Sequence, residues 1–178
     1  FDRAITQSDI LQIMSDDRGG GTGYTPKFDG EVFYTGFEGT FQDLVSGNVL
    51  TEVGTPAFAG EGKVGTNAYM GAPESSLTMP SDGLTGDEFS AAFWYKVKAE
   101  PDRAGVLVRG PPDPDTPAAQ NKRTNGFRDF RENAGGEQRF KLNAGHGEGD
   151  SRFDGGENAD IDPTSGEWVH MAFTIGAE

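Results

Sequence analysis

Phe89-Ser90-Ala91-Ala92-Phe93-Trp94-Tyr95-Lys96-Val97 is the stretch that decides the fold. Side chains of an extended chain alternate between two faces, so Phe89, Ala91, Phe93, Tyr95 and Val97 share one side. Ser90, Ala92, Trp94, Lys96 and Lys98 share the other. The first set is a core face, the second a mixed one. Glu167 to Ile175 repeats the arrangement, with Val169, Met171, Phe173 and Ile175 opposite Trp168, His170, Ala172 and Thr174. Shorter candidates are Val32–Phe37, Asn67–Met70, Ser76–Met79, Val106–Arg109, Gly126–Arg131 and Arg139–Asn143, each bounded by Gly, Pro, Asn or Asp. Eight or more short strands with no helix between them predict antiparallel sheets and exclude the parallel α/β classes. The expected fold is all-β, an antiparallel sandwich or jelly roll, with one short N-terminal helix.

That helix follows Thr6. Thr6 as N-cap with Asp9 three positions on makes a capping-box variant, and Ile5 with Ile10 can form a hydrophobic staple. Ile10, Leu11, Ile13 and Met14 give it an apolar face, and a helix this short needs a surface to dock on. Asp16 to Gly23 is Gly-rich linker chemistry; no Lys-Ser/Thr follows, as a phosphate loop would require. Two long loops are expected, Gly110 to Thr124 with four Pro, and Ala144 to Ser165, rich in Gly and acid.

Composition narrows the function. The 178 residues carry 29 acidic and 15 basic side chains, a net charge of −14. Such a chain repels phosphate backbones, so nucleic acid is excluded as a partner. Nothing approaches the ~20 apolar residues of a membrane-spanning helix. The 13 Phe suffice to seed a core, and with no Cys there is no disulfide framework, thiolate metal site or cysteine nucleophile. The chain opens on Phe1-Asp2-Arg3 without Met or a signal peptide, which leads us to expect a piece of a longer protein.

No catalytic device is evident. The two histidines, His146 and His170, lie in a Gly-rich loop and on the mixed face of a strand, and no G-x-S-x-G elbow accompanies them. A jelly-roll glycosidase needs acids at alternate strand positions, as in E-x-D-x-x-E; Glu157, Asp160 and Asp162 lack that spacing. Carboxylate supply for one cation is plausible in Gly147–Asp150 and Asp154–Gly156, although no EF-hand string is present. Sugar binding calls for aromatic faces and polar side chains. Trp94, Arg109, Arg128, Asp129, Arg131, His146 and Trp168 are the right types, each also ordinary on a sheet.

Several segments in order resemble the laminin-G-like, concanavalin-A-like jelly-roll modules of bacterial surface and secreted proteins. Phe41-Gln42-Asp43-Leu44-Val45-Ser46-Gly47-Asn48 is similar to the family's opening turn. Gly60 to Tyr69 resembles its Gly-Lys strand, and Leu77-Thr78-Met79-Pro80 its Pro-closed strand. Phe89 to Val97 and Glu167 to Thr174 resemble its F-S-x-x-F-W-x-K and W-x-H-x-A-x-T strands. The family's chain continues beyond that last strand and closes in an R-A-L-T-x-x-E-I helix, which residues 1–10 resemble. We therefore expect residues 1–17 to be a closing helix segment of a preceding or permuted module. A linker follows over 18–27, and 28–178 form a C-terminally incomplete laminin-G-like domain.

The resemblance implies binding rather than catalysis: a non-catalytic carbohydrate-binding module at a bacterial cell surface or outside the cell. Its partner would be a polysaccharide or surface glycan, with neighbouring modules of the same protein beside it. The candidate glycan residues are Trp94, Arg109, Arg128, Arg131, His146 and Trp168. The resemblance also implies a structural Ca²⁺, for which Asp43 and Asn48 of the opening turn, with nearby Glu38, are the expected ligands. A structural or adhesive repeat module is the alternative, and a jelly-roll glycosidase or lyase is disfavoured.

Overall fold

The structure, a computed structural model, describes residues 1–16, 25–80, 88–98, 102–110, 126–134, 137–145, 150–154 and 166–176. Among them are one helix, α1 (Gln7–Met14), and ten strands: β1 (Thr51–Val53), β2 (Ala57–Phe58), β3 (Tyr69–Met70), β4 (Ser76–Thr78), β5 (Phe89–Lys96), β6 (Arg103–Arg109), β7 (Phe127–Ala134), β8 (Glu137–Gly145), β9 (Asp150–Asp154) and β10 (Trp168–Ile175). They assemble as three two-stranded sheets, β1–β4, β2–β3 and β5–β10, and one four-stranded sheet ordered β6-β7-β8-β9. The expected all-β class with a single short N-terminal helix is what the chain adopts. It forms two compact units, one of residues 1–94 and 170–178, the other of 95–169.

In the first unit, β5 and β10 run side by side. Ser90 Oγ meets Thr174 Oγ1 at 3.0 Å, and the Trp94 and His170 rings approach to 4.9 Å. Partner numbers fall on one strand as they rise on the other, which is antiparallel pairing. Phe89 packs on Phe173 on the opposite face, as alternation requires. Ser90, expected on the mixed side, is wholly buried instead. Residues 1–5 lie against it: Phe1 N donates to Ser90 O, Ser90 N to Phe1 O, and Ile5 N to Ser90 Oγ. Ser90 Oγ in turn donates to the carbonyl of Arg3 at 2.8 Å. A short hydroxyl at this place satisfies a passing backbone that an apolar residue would leave unpaired.

The capping box of α1 forms with both halves present, Thr6 Oγ1 accepting from Asp9 N and Asp9 accepting from Thr6 N. Asp9 is held below the usual carboxylate range by the Thr6 backbone bond first and by Arg3 second. The expected docking of the helix is not what is seen. None of its eight residues is buried and Leu11 is 60% exposed; Ile5, before the cap, is the buried anchor.

The remaining core of this unit is aromatic. Phe41 and Phe58 stack at 4.4 Å, and Tyr69 and Phe37 close around Phe41. Val32–Phe37, expected as a strand, is irregular, because its backbone bonds to a turn rather than to a ladder. Tyr34 N donates to the Asp43 carboxylate and Tyr34 O accepts from Leu44 N.

The second unit is built on the four-stranded sheet, whose three pairings are all antiparallel. β9 falls inside the stretch expected as one long loop, a correction: residues 150–154 add a strand beside β8. A bulge between Gly105 and Leu107 lets Val106 stand outside the β6–β7 register. Gly126 begins β7 at φ +98, and a Cβ there would lie 2.3 Å from the carbonyl oxygen of Arg109. Only glycine permits both that dihedral and that approach. The proline-rich stretch 111–125 and most of the second expected loop lie outside the described residues.

Candidate functional site

β7 reads Phe127-Arg128-Asp129-Phe130-Arg131-Glu132-Asn133-Ala134, an unusual run for a strand in which every residue from Phe127 to Glu132 is buried. As one of the two interior strands of the β6–β9 sheet it has neighbours on both edges, and its alternation distributes charge to both faces. The register opposes Phe127, Asp129 and Arg131 to Ala144, Leu142 and Phe140 of β8. That is the aromatic face, where the ring of Tyr95 meets Phe140 edge-on at 5.1 Å.

The other face is charged. Arg128 lies opposite Asn143, Phe130 opposite Lys141, and Glu132 between Arg139 of β8 and Arg103 of β6. Glu132 is clasped from two strands, by Arg103 Nη2 at 2.6 Å and Lys141 Nζ at 2.5 Å. Burial alone would raise its pKa, but the hydrogen bonds from Lys141 and Arg103 outweigh it, holding the carboxyl below its usual range. Phe130 is completely buried, with the Arg128 guanidinium 4.6 Å and the Arg103 guanidinium 5.6 Å from its ring centre. Each such contact is worth roughly 0.5–2 kcal/mol, more where water is excluded. The arrangement fixes several cations around one ring and one carboxylate, with only the rim open: Arg103 is 42% and Lys141 18% exposed along the side chain.

Asp129 sits on the aromatic face, 3% exposed, and its Oδ2 has no hydrogen-bond partner. Loss of water pushes its carboxyl up to about 7, against a smaller downward pull from the Phe130 backbone bond. Asp129 and Glu132 therefore point to opposite sides of the sheet. They cannot flank one bond as an acid and base pair must.

The six expected glycan residues are dispersed. Arg128 is on the charged face, whereas Arg131 and Arg109 are at aromatic-face positions of β7 and β6. Arg131 is 1% exposed. Trp94 belongs to the first unit, where Lys63 Nζ sits 4.8 Å over its ring and His170 meets it at 72° between the planes. His170, half-buried with its Nε2 unpartnered, has its pKa lowered by desolvation. Trp168, on β10, has Lys96 Nζ 5.9 Å from its ring centre. His146 lies outside the described residues. Phe130, Glu132, Arg103, Arg139, Lys141 and Asn143 were not among the expected residues. Their signal was the i, i+2, i+4 row Arg128-Phe130-Glu132, which alternation places on one face, but the matching rows on β6 and β8 need the register.

The expected cation ligands hold amides instead. Asp43 is 5% exposed, and its carboxylate accepts from Tyr34 N, Val45 N, Ser46 N and the Ser46 hydroxyl. Four donors use the lone pairs an ion would need. The Asn48 carbonyl accepts from Asp43 N and its amide donates to Ser46 Oγ, closing the turn. Glu38 accepts from Thr66 N, Thr66 Oγ1 and Asn67 N. The Thr66 hydroxyl bond leads in holding its pKa down. Ca²⁺ asks for six to eight oxygens, and positive N–H ends turned toward both carboxylates do not fit it. Among the described residues no three His, Asp or Glu side chains converge on a common point.

Residues 66–178 match a family described as the concanavalin A-like lectin/glucanases superfamily, Laminin_G_3. No curated protein and no solved structure matches. Among the described residues no helix is long and apolar enough to cross a membrane.

Proposed function

Because the chain belongs to the concanavalin A-like lectin/glucanase superfamily, we propose that it is a non-catalytic carbohydrate-binding module of a bacterial cell-surface or secreted protein. The observation that carries this reading is the charged face of the β6–β9 sheet, where polar side chains from three strands are gathered around Phe130. A rigid sheet is a suitable platform for a glycan, since ordering costs are met before binding. Binding rather than hydrolysis is supported by the placement of Asp129 and Glu132 on opposite faces. The reading invokes no Ca²⁺, because Glu38 and Asp43 already hold protein donors. Single sites of this kind are shallow and gain from repetition along a polymer.

A structural or adhesive module is the second reading, and the deep burial of Arg128, Glu132 and Asn143 favours it. Thermal melts with a panel of soluble polysaccharides separate the two. A ligand of the native state raises the midpoint. A rise with at least one polysaccharide is expected; no rise with any would transfer the assignment to the structural reading.

A further inference from the structure

The connection between β2 and β3 reads Ala59-Gly60-Glu61-Gly62-Lys63-Val64-Gly65-Thr66-Asn67-Ala68, and its two halves are held unequally. Its base closes where Ala59 N donates to Ala68 O at 2.9 Å. The second half is clamped by Glu38, whose carboxylate accepts from Thr66 N at 2.8 Å, Thr66 Oγ1 at 2.6 Å and Asn67 N at 2.9 Å. Gly65, at φ +77, lies so close to that carboxylate that a Cβ would overlap it. The tip is held by something softer. Lys63 is exposed and lays its Nζ 4.8 Å over the Trp94 ring. A cation–π contact of an exposed side chain is weaker than three bonds to one carboxylate.

Trp94 in turn meets His170, ring centres 4.9 Å apart and planes at 72°. The Nε2 of His170 is buried with no hydrogen-bond partner. A neutral imidazole suits such a place; a proton at Nε2 would find neither an acceptor nor water. Alternation puts Trp168, Ala172 and Thr174 of β10 on this face, with Ser90, Ala92, Trp94 and Lys96 of β5. No carboxylate stands on it from either strand. Its charged group is Lys96, and Lys63 comes over it from the loop. Residues 1–5 bring the Phe1 amine, Asp2 and Arg3 to the Ser90 end, about 13 Å along the strand from Trp94.

We propose that the 59–68 loop is an acid-released strap: proton uptake at His170 lifts Lys63 from Trp94 and bares the indole face, while Glu38 keeps the far half of the loop in place. The imidazolium repels the nearby ammonium and draws water toward a site that has none. Of the contacts around the pair, the Lys63 tip yields most easily, because the strands are bonded along their length and the clamp is not. Glu38 stays ionised throughout, since its hydrogen bonds hold its carboxyl below the usual range. The opening is therefore confined to residues 60–65. It stands apart from the glycan reading.

Acrylamide quenching of Trp94 in the full chain tests this, with Trp168→Phe leaving Trp94 as the one indole. Between about pH 7.5 and pH 4.5 the quenching constant should rise about twofold, following the protonation of His170 in its imidazole proton shifts. Far-UV dichroism should not change over that interval. His170→Gln should keep the low constant at both pH values. Lys63→Gln should show the high constant at both, and covers the case in which the histidine variant misfolds. Constant quenching while the imidazole titrates would overturn the proposal. So would the same rise in His170→Gln, or a rise accompanied by loss of the sheet signal, which would be acid unfolding of the whole unit.

Discussion

Asp129 makes folding stability depend on pH in a direction opposite to most carboxylates. In the unfolded chain an Asp titrates near 3.9, whereas burial pushes the native carboxyl up to about 7. Below the unfolded value both states are protonated and the residue contributes no penalty. As pH rises toward the native value, the unfolded state ionises freely and the native state does not, so stability falls. The full penalty, about three pKa units at 1.36 kcal/mol each, is about 4 kcal/mol. Between pH values of about 5 and 8 the two-state linkage gives a loss of roughly 2–3 kcal/mol from this residue alone. Asp129→Asn removes the titration and keeps the shape. Urea denaturation of both proteins at the two pH values measures it. The stability of the variant relative to the parent should rise by about 2–3 kcal/mol from the lower to the higher pH. Taking the difference cancels every other titrating group. Parallel pH profiles would refute the reasoning and show that the native carboxylate is hydrated or paired.

Three further outcomes follow from the same geometry. Glu132→Gln, which loses two charge-assisted bonds at a side chain 11% exposed, should cost about 1–3 kcal/mol in the same assay and least at high salt. Gly126→Ala forces a Cβ to 2.3 Å from the Arg109 carbonyl at φ +98 and should cost about 2–3 kcal/mol, with hydrogen exchange accelerated in β6 and the start of β7. His170, with its pKa lowered by desolvation, should protonate at a lower pH than an ordinary imidazole. In a Trp168→Phe background the emission of Trp94 should therefore drop only below about pH 6.5, as imidazolium forms beside the indole, and stability should fall over that same range. His170→Gln should abolish the drop.

The strands with strict period-two patterns were legible without coordinates. Phe89–Val97 and Glu167–Ile175 became β5 and β10, and Trp94, His170 and Thr174 took the mixed face that alternation assigns. Legibility failed where long-range contacts overrode local pattern. Ser90 is buried because residues 1–5 lie on it, a contact 85 residues or more away in sequence. Val32–Phe37 has strand-like residues, but the Asp43 carboxylate captures the Tyr34 amide that a ladder would need. β1 and β2 are too short, at three and two residues, to show any period. The site was half visible. Arg128 stood out by type, while its meaning depends on Phe130 beneath it and on Arg103 and Lys141, 25 residues before it and 13 after it.

The central claim is that the charged face of β6–β8 meets the glycan. Backbone amide shifts of the labelled protein, titrated with a soluble oligosaccharide of whichever polysaccharide raises the melting midpoint, test it most directly. The account predicts that the largest shifts fall on residues 103–105, 128–132 and 139–143, together with the Arg103 guanidinium. Saturable shifts confined instead to the first unit, around Lys63, Trp94 and His170, would contradict it.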